Sequence, residues 1–196
     1  MKKILSGIIV SITIILFQNC VSSTGQPKPA NNTGQPAEQF VCLPCGSSCD
    51  TILTTSPGGT CKHCMMEIVK KSSIVHGNIM PQDLHAHILK AGSSNVLLLD
   101  VRTAEEFNGT APDKFGRLKN AINISVQQLE KRMKELDVYK DKEIIVYCSH
   151  SHRSPRASYL LTQNGFKKIT NLQQGMHMWK ATVKDKQSND SLYIAQ

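Results

Sequence analysis

The sequence predicts an α/β fold, a parallel sheet flanked by helices, preceded by a small cysteine-rich module. Two short apolar runs, VLLLD at 96–100 and EIIVY at 143–147, have the composition of buried parallel strands. A helical pattern lies between them and another follows the second run; this order is typical of a parallel sheet with helices on its faces. Six of the seven cysteines lie ahead of these elements, five of them between residues 42 and 64.

Start and stop signals support both helices. Ser125 and Gln128 have the spacing of a capping box, and the apolar residues that follow recur at helical intervals: Val126, Leu129, Met133 and Leu136. After the second strand, Pro155 suits a first helical turn, and Gly165 is a stop signal. The second helix therefore begins a few residues after the strand that precedes it.

The N-terminus has the profile of an export signal. Lys2 and Lys3 precede an apolar stretch at 4–17, and the segment LFQNC ends at Cys20. Fourteen helical residues rise about 21 Å, less than the roughly 30 Å of a bilayer core. LFQNC resembles a bacterial lipoprotein cleavage site, which implies a lipidated Cys20 and a membrane-anchored protein of the cell envelope. Ordinary cleavage nearby and an uncleaved anchor are the alternatives.

Composition divides the rest of the chain. Residues 21–39 are Ser, Thr, Gly, Gln, Pro and Asn with few apolar side chains, which predicts a flexible linker. We then expect the cysteine-rich module at 40–71, the α/β domain at 72–184 and a polar tail at 185–196. The formal charge of +8 falls to +6 once the two signal lysines are removed, and the other basic residues are scattered. This pattern predicts no nucleic-acid partner.

The cysteines of the module have the spacing of a metal site. Two CxxC pairs are separated by fifteen residues, and each pair could aim two thiolates at one tetrahedral ion: Cys42, Cys45, Cys61 and Cys64. Cys49, His63 and Met66 are additional candidate ligands. The expected cofactor is zinc or another thiophilic ion, because such ions bind sulfur ligands. A segment this short also needs a metal ion or another crosslink to hold its fold. Disulfide bonding is the alternative, since an exported protein meets an oxidising compartment.

Part of the module resembles a known metal-binding segment. PGGTCKHCMMEIV at 57–69 is similar to the short heavy-metal-binding domain of bacterial envelope proteins, with a pattern near PG-x-CPxCGM-x-L. Cys61, Cys64 and Met66 match this pattern, and Met65 stands where that family has glycine. The resemblance implies a soft-metal site without fixing the ion.

The remaining cysteine, Cys148, lies where a predicted parallel strand ends and a helix begins. Ligands bind at this position in open α/β sheets, where backbone N–H groups converge. The helix N-terminus and Arg153 both favour a thiolate there. Four residues separate Cys148 from Arg153, whereas cysteine phosphatases have five, so the shorter loop suits a single additional sulfur atom rather than a phosphoryl group.

At these residues the sequence resembles the rhodanese family of single-domain sulfurtransferases. YCSHSHRS at 147–154 is similar to the family's YCxxGxRS loop, with Ser151 where glycine is common. Three further stretches occur in the expected order: LLLDVRTAEEF at 97–107, GRLKNAINI at 116–124 and NLQQGMHMW at 171–179. The resemblance spans nearly the whole domain and implies a rhodanese-like parallel sheet.

The resemblance also implies a reaction. Cys148 would take a sulfane sulfur from thiosulfate or a persulfide donor and pass it to a small nucleophilic acceptor, with no organic cofactor. The backbone N–H groups of the loop would stabilise the persulfide, and Arg153 would hold the loop and attract an anionic donor. The loop residues are Ser149, His150, Ser151, His152 and Arg153. A metal-binding or metal-sensing lipoprotein on a non-catalytic scaffold, and a thiol–disulfide redox protein, remain alternatives.

Other polar residues near these motifs receive simpler interpretations. His150 and His152 are expected to tune the loop electrostatically, with metal ligation as the alternative, and no partner is assigned to His177. Asp100 and Arg102 follow a strand end and are interpreted as a structural ion pair. No protein partner is indicated by the sequence.

Overall fold

The computed structural model describes residues 37–196, and they form one compact unit. The predicted signal segment, Cys20 and most of the predicted linker lie outside the described residues. The strands are β1 (Phe40–Cys42), β2 (Ile68–Lys70), β3 (Gly77–Ile79), β4 (Val96–Asp100), β5 (Arg117–Leu118), β6 (Ile122–Asn123), β7 (Glu143–Tyr147), β8 (Ile169–Leu172) and β9 (Tyr193–Ile194). The α-helices are α1 (Leu84–Ala91), α2 (Ala104–Asn108), α3 (Val126–Arg132), α4 (Arg153–Gln163), α5 (Trp179–Thr182) and α6 (Lys186–Leu192).

Five strands form a parallel sheet in the order β3-β8-β7-β4-β6, which confirms the predicted fold class. Side chains of the central strand alternate between the two faces. Ile144 and Val146 point into a core with α3 and α4, whereas Ile145 and Tyr147 point into a second core with α1, α5 and α6. Because both faces are covered, β4 and β7 are apolar along nearly their whole length, which is why they were recognisable in the sequence.

The cysteine-rich module is a small antiparallel unit attached to the main domain. Its β1 and β2 pair in register from Phe40–Lys70 to Cys42–Ile68. Tyr159 of α4 packs against the cysteine-lined core of this module, and its hydroxyl lies 3.2 Å from the hydroxyl of Ser73. The module is therefore seated on the helix that begins at the Cys148 loop.

One predicted helix start differs from the structure. Helix α3 follows Ser125 as expected, but the Ser125 side chain makes no capping hydrogen bond, so the predicted capping box is wrong there. The backbone N–H of Gln128 donates instead to the Ser125 carbonyl, at 2.9 Å. A complete capping box occurs at α2, where Thr103 and Glu106 each accept the other's backbone N–H.

Residues 185–196, predicted from the sequence as a polar tail, form α6 and β9. Asp185 caps α6 by accepting the N–H of Ser188 at 2.6 Å, and β9 pairs antiparallel with β5. The indole N–H of Trp179 donates to Asn189 at 2.8 Å, and the Trp179 ring stacks on Tyr193 with centroids 5.7 Å apart. The segment thus covers the fully buried Trp179. Within residues 37–196, no helix is both long and apolar enough to cross a membrane.

Deleting residues 185–196 tests this structural role. We expect the free energy of unfolding to fall by about 3 kcal/mol or more, because the deletion removes an aromatic stack and an indole hydrogen bond and exposes the apolar surface around Trp179 to water. Chemical denaturation followed by the fluorescence of Trp179 measures the change. Gln187→Ala, at an exposed position of α6, is the matched control and should be near neutral. An unchanged unfolding midpoint in the truncated chain would contradict the role.

Candidate active site and cysteine cluster

Cys148 begins a tight loop between β7 and α4, at the carboxyl end of the central strand. Its side chain is 1% exposed, and its Sγ lies 3.4 Å from the Oγ of Ser154 in the first turn of α4. The backbone carbonyls of Cys148 and Ser149 accept N–H groups from Met176 and His177, at 2.9 and 3.0 Å. The loop is therefore held from behind by the segment that follows β8.

Gly175 permits that close approach. Its φ is +64°, and a Cβ there would lie 2.5 Å from the carbonyl oxygens of both Cys148 and Ser149. No real Cβ tolerates such a distance from backbone atoms, so any other residue would push the supporting segment off the loop. The glycine of the NLQQGMHMW stretch thus sets the shape of the site from outside the cysteine loop.

Arg153 is engaged by a carboxylate rather than free to bind an anion. Its two terminal nitrogens donate to the carboxylate oxygens of Glu106 at 2.6 and 2.7 Å, and Ser149 Oγ donates to the same carboxylate at 2.8 Å. Arg153 is the main cause that lowers the pKa of Glu106 to about 2. The geometry agrees with the expected role of Arg153 in holding the loop, but the charge of Arg153 is already offset by Glu106 in the absence of a donor.

Ser151 takes a backbone conformation that favours glycine. Its φ is +60°, its side chain is fully buried, and its Oγ has no hydrogen-bond partner. The left-handed region costs a residue with a Cβ about 1–2 kcal/mol, which accounts for the glycine in the related loop pattern. Met65, which also replaces a glycine of its related pattern, has a φ of +58°.

A group of rings lies beside the loop. His150 and His177 stack with centroids 4.5 Å apart and planes 30° from parallel, and Phe115 meets His150 edge-on at 5.0 Å. His177 Nδ1 lies 3.2 Å from the Ser149 carbonyl, which gives this histidine the partner that the sequence did not suggest. Burial, followed by the nearby His177, lowers the pKa of His150, so its neutral form is favoured. His152 is exposed.

The D-x-R motif is a buried ion pair, as the sequence indicated. Asp100 and Arg102 are fully buried, with Arg102 Nη2 donating to the Asp100 carboxylate at 2.7 Å. The same nitrogen donates to the Gly116 carbonyl at 2.9 Å. This pair joins β4 to the segment before β5.

The structure gathers four thiols of the module, with one change from the predicted set. Cys42, Cys61 and Cys64 meet Cys49 rather than Cys45, and the four Sγ atoms lie within 4.8 Å of one another. Met66 packs in the small core, and His63 is exposed on the surface. All six cysteines among residues 37–196 are free thiols in the structure.

The two CxxC pairs differ because of one proline. At the second pair, the backbone N–H groups of Cys64 and His63 point at Cys61 and lower its pKa to about 6. At the first pair the position equivalent to His63 is Pro44, which has no N–H to donate. The N–H of Cys45 donates instead to Asp50 at 3.1 Å, and a 3₁₀ turn at Ser48–Thr51 brings Cys49 to Cys42.

The thiol spacing fits a tetrahedral ion. Zinc–sulfur bonds of about 2.3 Å place the sulfurs of a tetrahedral site about 3.8 Å apart. Cys42 Sγ and Cys49 Sγ are 3.9 Å apart, and all six separations in the cluster are at most 4.8 Å. The four residues could therefore hold a metal ion with little rearrangement.

The fold and the loop define an α/β protein with a buried cysteine at a strand-to-helix turn. A model of the rhodanese-like domain matches residues 80–182, and the chain belongs to that family. The match does not cover the cysteine-rich segment at 40–71. Family membership supports sulfur-transfer chemistry and a sulfurtransferase-type enzyme in general terms.

Several proteins are similar to this chain in sequence. An uncharacterized protein of Bacillus subtilis, YqhL, is 34% identical over 115 residues, covering 59% of this chain and 85% of the relative. A sulfurtransferase of Allochromatium vinosum is 33% identical over 90 residues, covering 45% of this chain and 76% of the relative. A tRNA uridine(34) hydroxylase of Acinetobacter baumannii is 31% identical, covering 55% of this chain and only 36% of the relative.

Solved structures of the same type are also similar. A rhodanese-related protein from Thermoplasma volcanium has 30% identity and a TM-score of 0.44, covering 54% of this chain and 92% of its own. A rhodanese-like domain protein from Staphylococcus aureus has 26% identity and a TM-score of 0.44, covering 53% and 90% respectively.

Replacing Ser151 tests the cost of its conformation. We expect Ser151→Gly to raise the free energy of unfolding by about 1 kcal/mol, because it removes a strained Cβ and a buried unpaired hydroxyl while adding unfolded-state entropy. Ser151→Ala is the matched control: it removes the hydroxyl but keeps the Cβ, so it should gain less. Chemical denaturation of the three proteins measures both effects. A glycine variant less stable than the alanine variant would contradict the analysis.

The Glu106 carboxylate gives the loop a pH dependence with a definite sign. Its pKa is lowered in the fold from 4.5 to about 2, so the Arg153 pair stabilises fully above pH 4.5 and is lost as the pH falls toward 2. We expect Glu106→Gln to cost about 2 kcal/mol near neutral pH and to flatten the decline of stability across that window. Denaturation at several pH values measures it. Glu130→Gln, at an exposed position of α3, is the control, and parallel curves for wild type and Glu106→Gln would exclude the effect.

Proposed function

We propose that this protein is an envelope sulfurtransferase that carries sulfane sulfur as a persulfide on Cys148. The observation that carries the proposal is the position of Cys148 at the base of a short loop, 3.4 Å from the Ser154 hydroxyl and at the start of α4. The five backbone N–H groups at 149–153 are the natural donors for a terminal sulfur anion in such a loop. The rhodanese-like domain at residues 80–182, which includes Cys148, supports sulfur-transfer chemistry in general.

The proposed reaction has two displacements. The Cys148 thiolate attacks the outer sulfur of thiosulfate, the S–S bond of the donor breaks, and sulfite leaves with the bonding pair, so Cys148 holds a persulfide anion. An acceptor thiolate or cyanide then attacks the terminal sulfur and releases the Cys148 thiolate. A small persulfide such as glutathione persulfide can replace thiosulfate, with its thiolate as the leaving group. The 1% exposure of Cys148 favours small donors and acceptors over large ones.

The neutralised arginine shapes donor preference. Because Glu106 accepts one hydrogen bond from each terminal nitrogen of Arg153 and offsets its charge, we assign recognition of an anionic donor mainly to backbone N–H groups. Hydrogen bonds from the backbone stabilise negative charge on sulfur without requiring the donor to carry a large charge. We therefore expect persulfide donors of low charge to compete well with thiosulfate.

The proposal includes a metal ion in the module and an anchor in the membrane. Cys42, Cys49, Cys61 and Cys64 would hold zinc or another thiophilic ion, which would supply a closed structural crosslink for a segment with little core. The signal-like residues 1–20, with Cys20 as the lipid site, support export to the envelope. Small sulfur compounds are the proposed partners, without nucleic acid.

Intact mass spectrometry tests the reaction. The reduced full chain is incubated with thiosulfate or glutathione persulfide, and we expect a gain of one sulfur atom that cyanide removes as thiocyanate. Cys148→Ala should show no such gain. Cys45→Ala is the matched control, since it removes a buried thiol outside both the loop and the four-cysteine cluster, and should keep the gain.

The same experiment separates the second candidate function. A Cys148 chain that gains no sulfur from either donor would contradict the sulfurtransferase proposal. The four-cysteine cluster would then favour a metal-binding or metal-sensing lipoprotein on a rhodanese scaffold. Metal content of the same sample, before and after chelation, decides that alternative.

A further inference from the structure

The thiol left out of the four-cysteine cluster belongs to a second group of ligands. Cys45 Sγ, Cys49 Sγ and a carboxylate oxygen of Asp50 all lie within 4.8 Å of one another. Cys49 is common to both groups. A thiolate can bridge two thiophilic ions, so Cys49 could bind an ion in each group at the same time.

The spacing of the second group suits coordination by sulfur and oxygen. Cys45 Sγ is 3.6 Å from Asp50 Oδ1. Metal–sulfur and metal–oxygen bonds of about 2.3 and 2.1 Å at a tetrahedral angle place the two ligand atoms about 3.6 Å apart. This distance is long for a strong hydrogen bond but matches the edge of a coordination tetrahedron.

Asp50 is held in place by the backbone that presents Cys45. The N–H of Cys45 donates to Oδ1 at 3.1 Å, and the N–H of Gly46 donates to Oδ2 at 2.7 Å. Each carboxylate oxygen has two lone pairs, so one on each remains for a cation. Such outer hydrogen bonds orient carboxylates in metal sites. The Asp50 carboxylate is enough to stabilise the turn, so the turn does not explain why a buried thiol lies beside that carboxylate.

We propose that Cys45, Cys49 and Asp50 form a second metal site for a divalent ion of the zinc class, with Cys49 bridging to the four-cysteine site. This inference rests on the metal occupancy proposed above for that first site. Mixed thiolate and carboxylate ligands suit zinc or cadmium better than copper(I), which prefers sulfur alone. On binding, the Cys45 thiol loses its proton to solvent, and the fourth position is left for water or a small thiolate.

Charge and access both support the second ion. A divalent ion with four thiolates leaves excess negative charge in a buried cluster, and the Asp50 carboxylate adds to it; a second cation offsets that charge. A surface hollow of about 430 Å³ is lined by Asp50 of the second group and by Cys42 of the first, so an ion can approach the two groups at these residues.

Metal stoichiometry tests the proposal. The full chain is prepared metal-free under reducing conditions, titrated with Zn²⁺ and separately with Cd²⁺, and counted by native mass spectrometry. We expect two ions in the wild type, one in Cys45→Ser and one in Asp50→Asn. Asp50→Asn keeps an acceptor for the turn, and Ser48→Ala, at an exposed neighbouring position, is the control that should keep two.

The outcomes distinguish the two sites. A wild type that stops at one ion, lost in Cys64→Ser, would overturn the second site and leave the first intact. A wild type that binds two ions with Cys45→Ser also binding two would overturn the assignment, because the second ion would then lie elsewhere. A folded wild type that binds none would overturn both sites. Circular dichroism of each variant establishes that the main domain is folded.

Discussion

The paired hydrogen bonds between Arg153 and Glu106 are the contact on which the site depends. They tie the first turn of α4 to the first turn of α2, and the same carboxylate accepts the Ser149 hydroxyl from within the loop. Glu106 is itself fixed by the capping box with Thr103. A helix cap, a salt bridge and the Cys148 loop thus share one carboxylate, so a change at Glu106 affects all three.

The rest of the fold brings this contact to Cys148. The apolar β4 and β7 place the starts of α2 and α4 side by side at the carboxyl edge of the sheet. The segment after β8 then supports the loop from behind, at a distance that only Gly175 allows. In this arrangement backbone groups line the pocket, and the surrounding side chains hold the backbone in its conformation. Such a site suits a small anionic group such as one sulfur atom.

Patterns local in sequence could be predicted, and contacts between distant segments could not. The buried strands and the cysteine–arginine loop follow from apolar runs and from motif spacing. The pairing of Glu106 with Arg153, 47 positions away, has no local signal beyond the Thr103–Glu106 cap spacing. The exchange of Cys49 for Cys45 could have been inferred from Pro44, which lacks the N–H of a knuckle. Residues 185–196 show no clear apolar pattern in the sequence, although Leu192 and Tyr193 pack into the core that contains Trp179.

The most direct test of sulfur transfer at Cys148 is a high-resolution structure of the chain after reaction with a persulfide donor. We predict a second sulfur about 2.05 Å from Cys148 Sγ, directed at the N–H groups of 149–153, with Arg153 still paired to Glu106. A terminal sulfur held by the Arg153 guanidinium, with the Glu106 pair broken, would contradict it. So would a sulfur on any other cysteine with Cys148 unmodified.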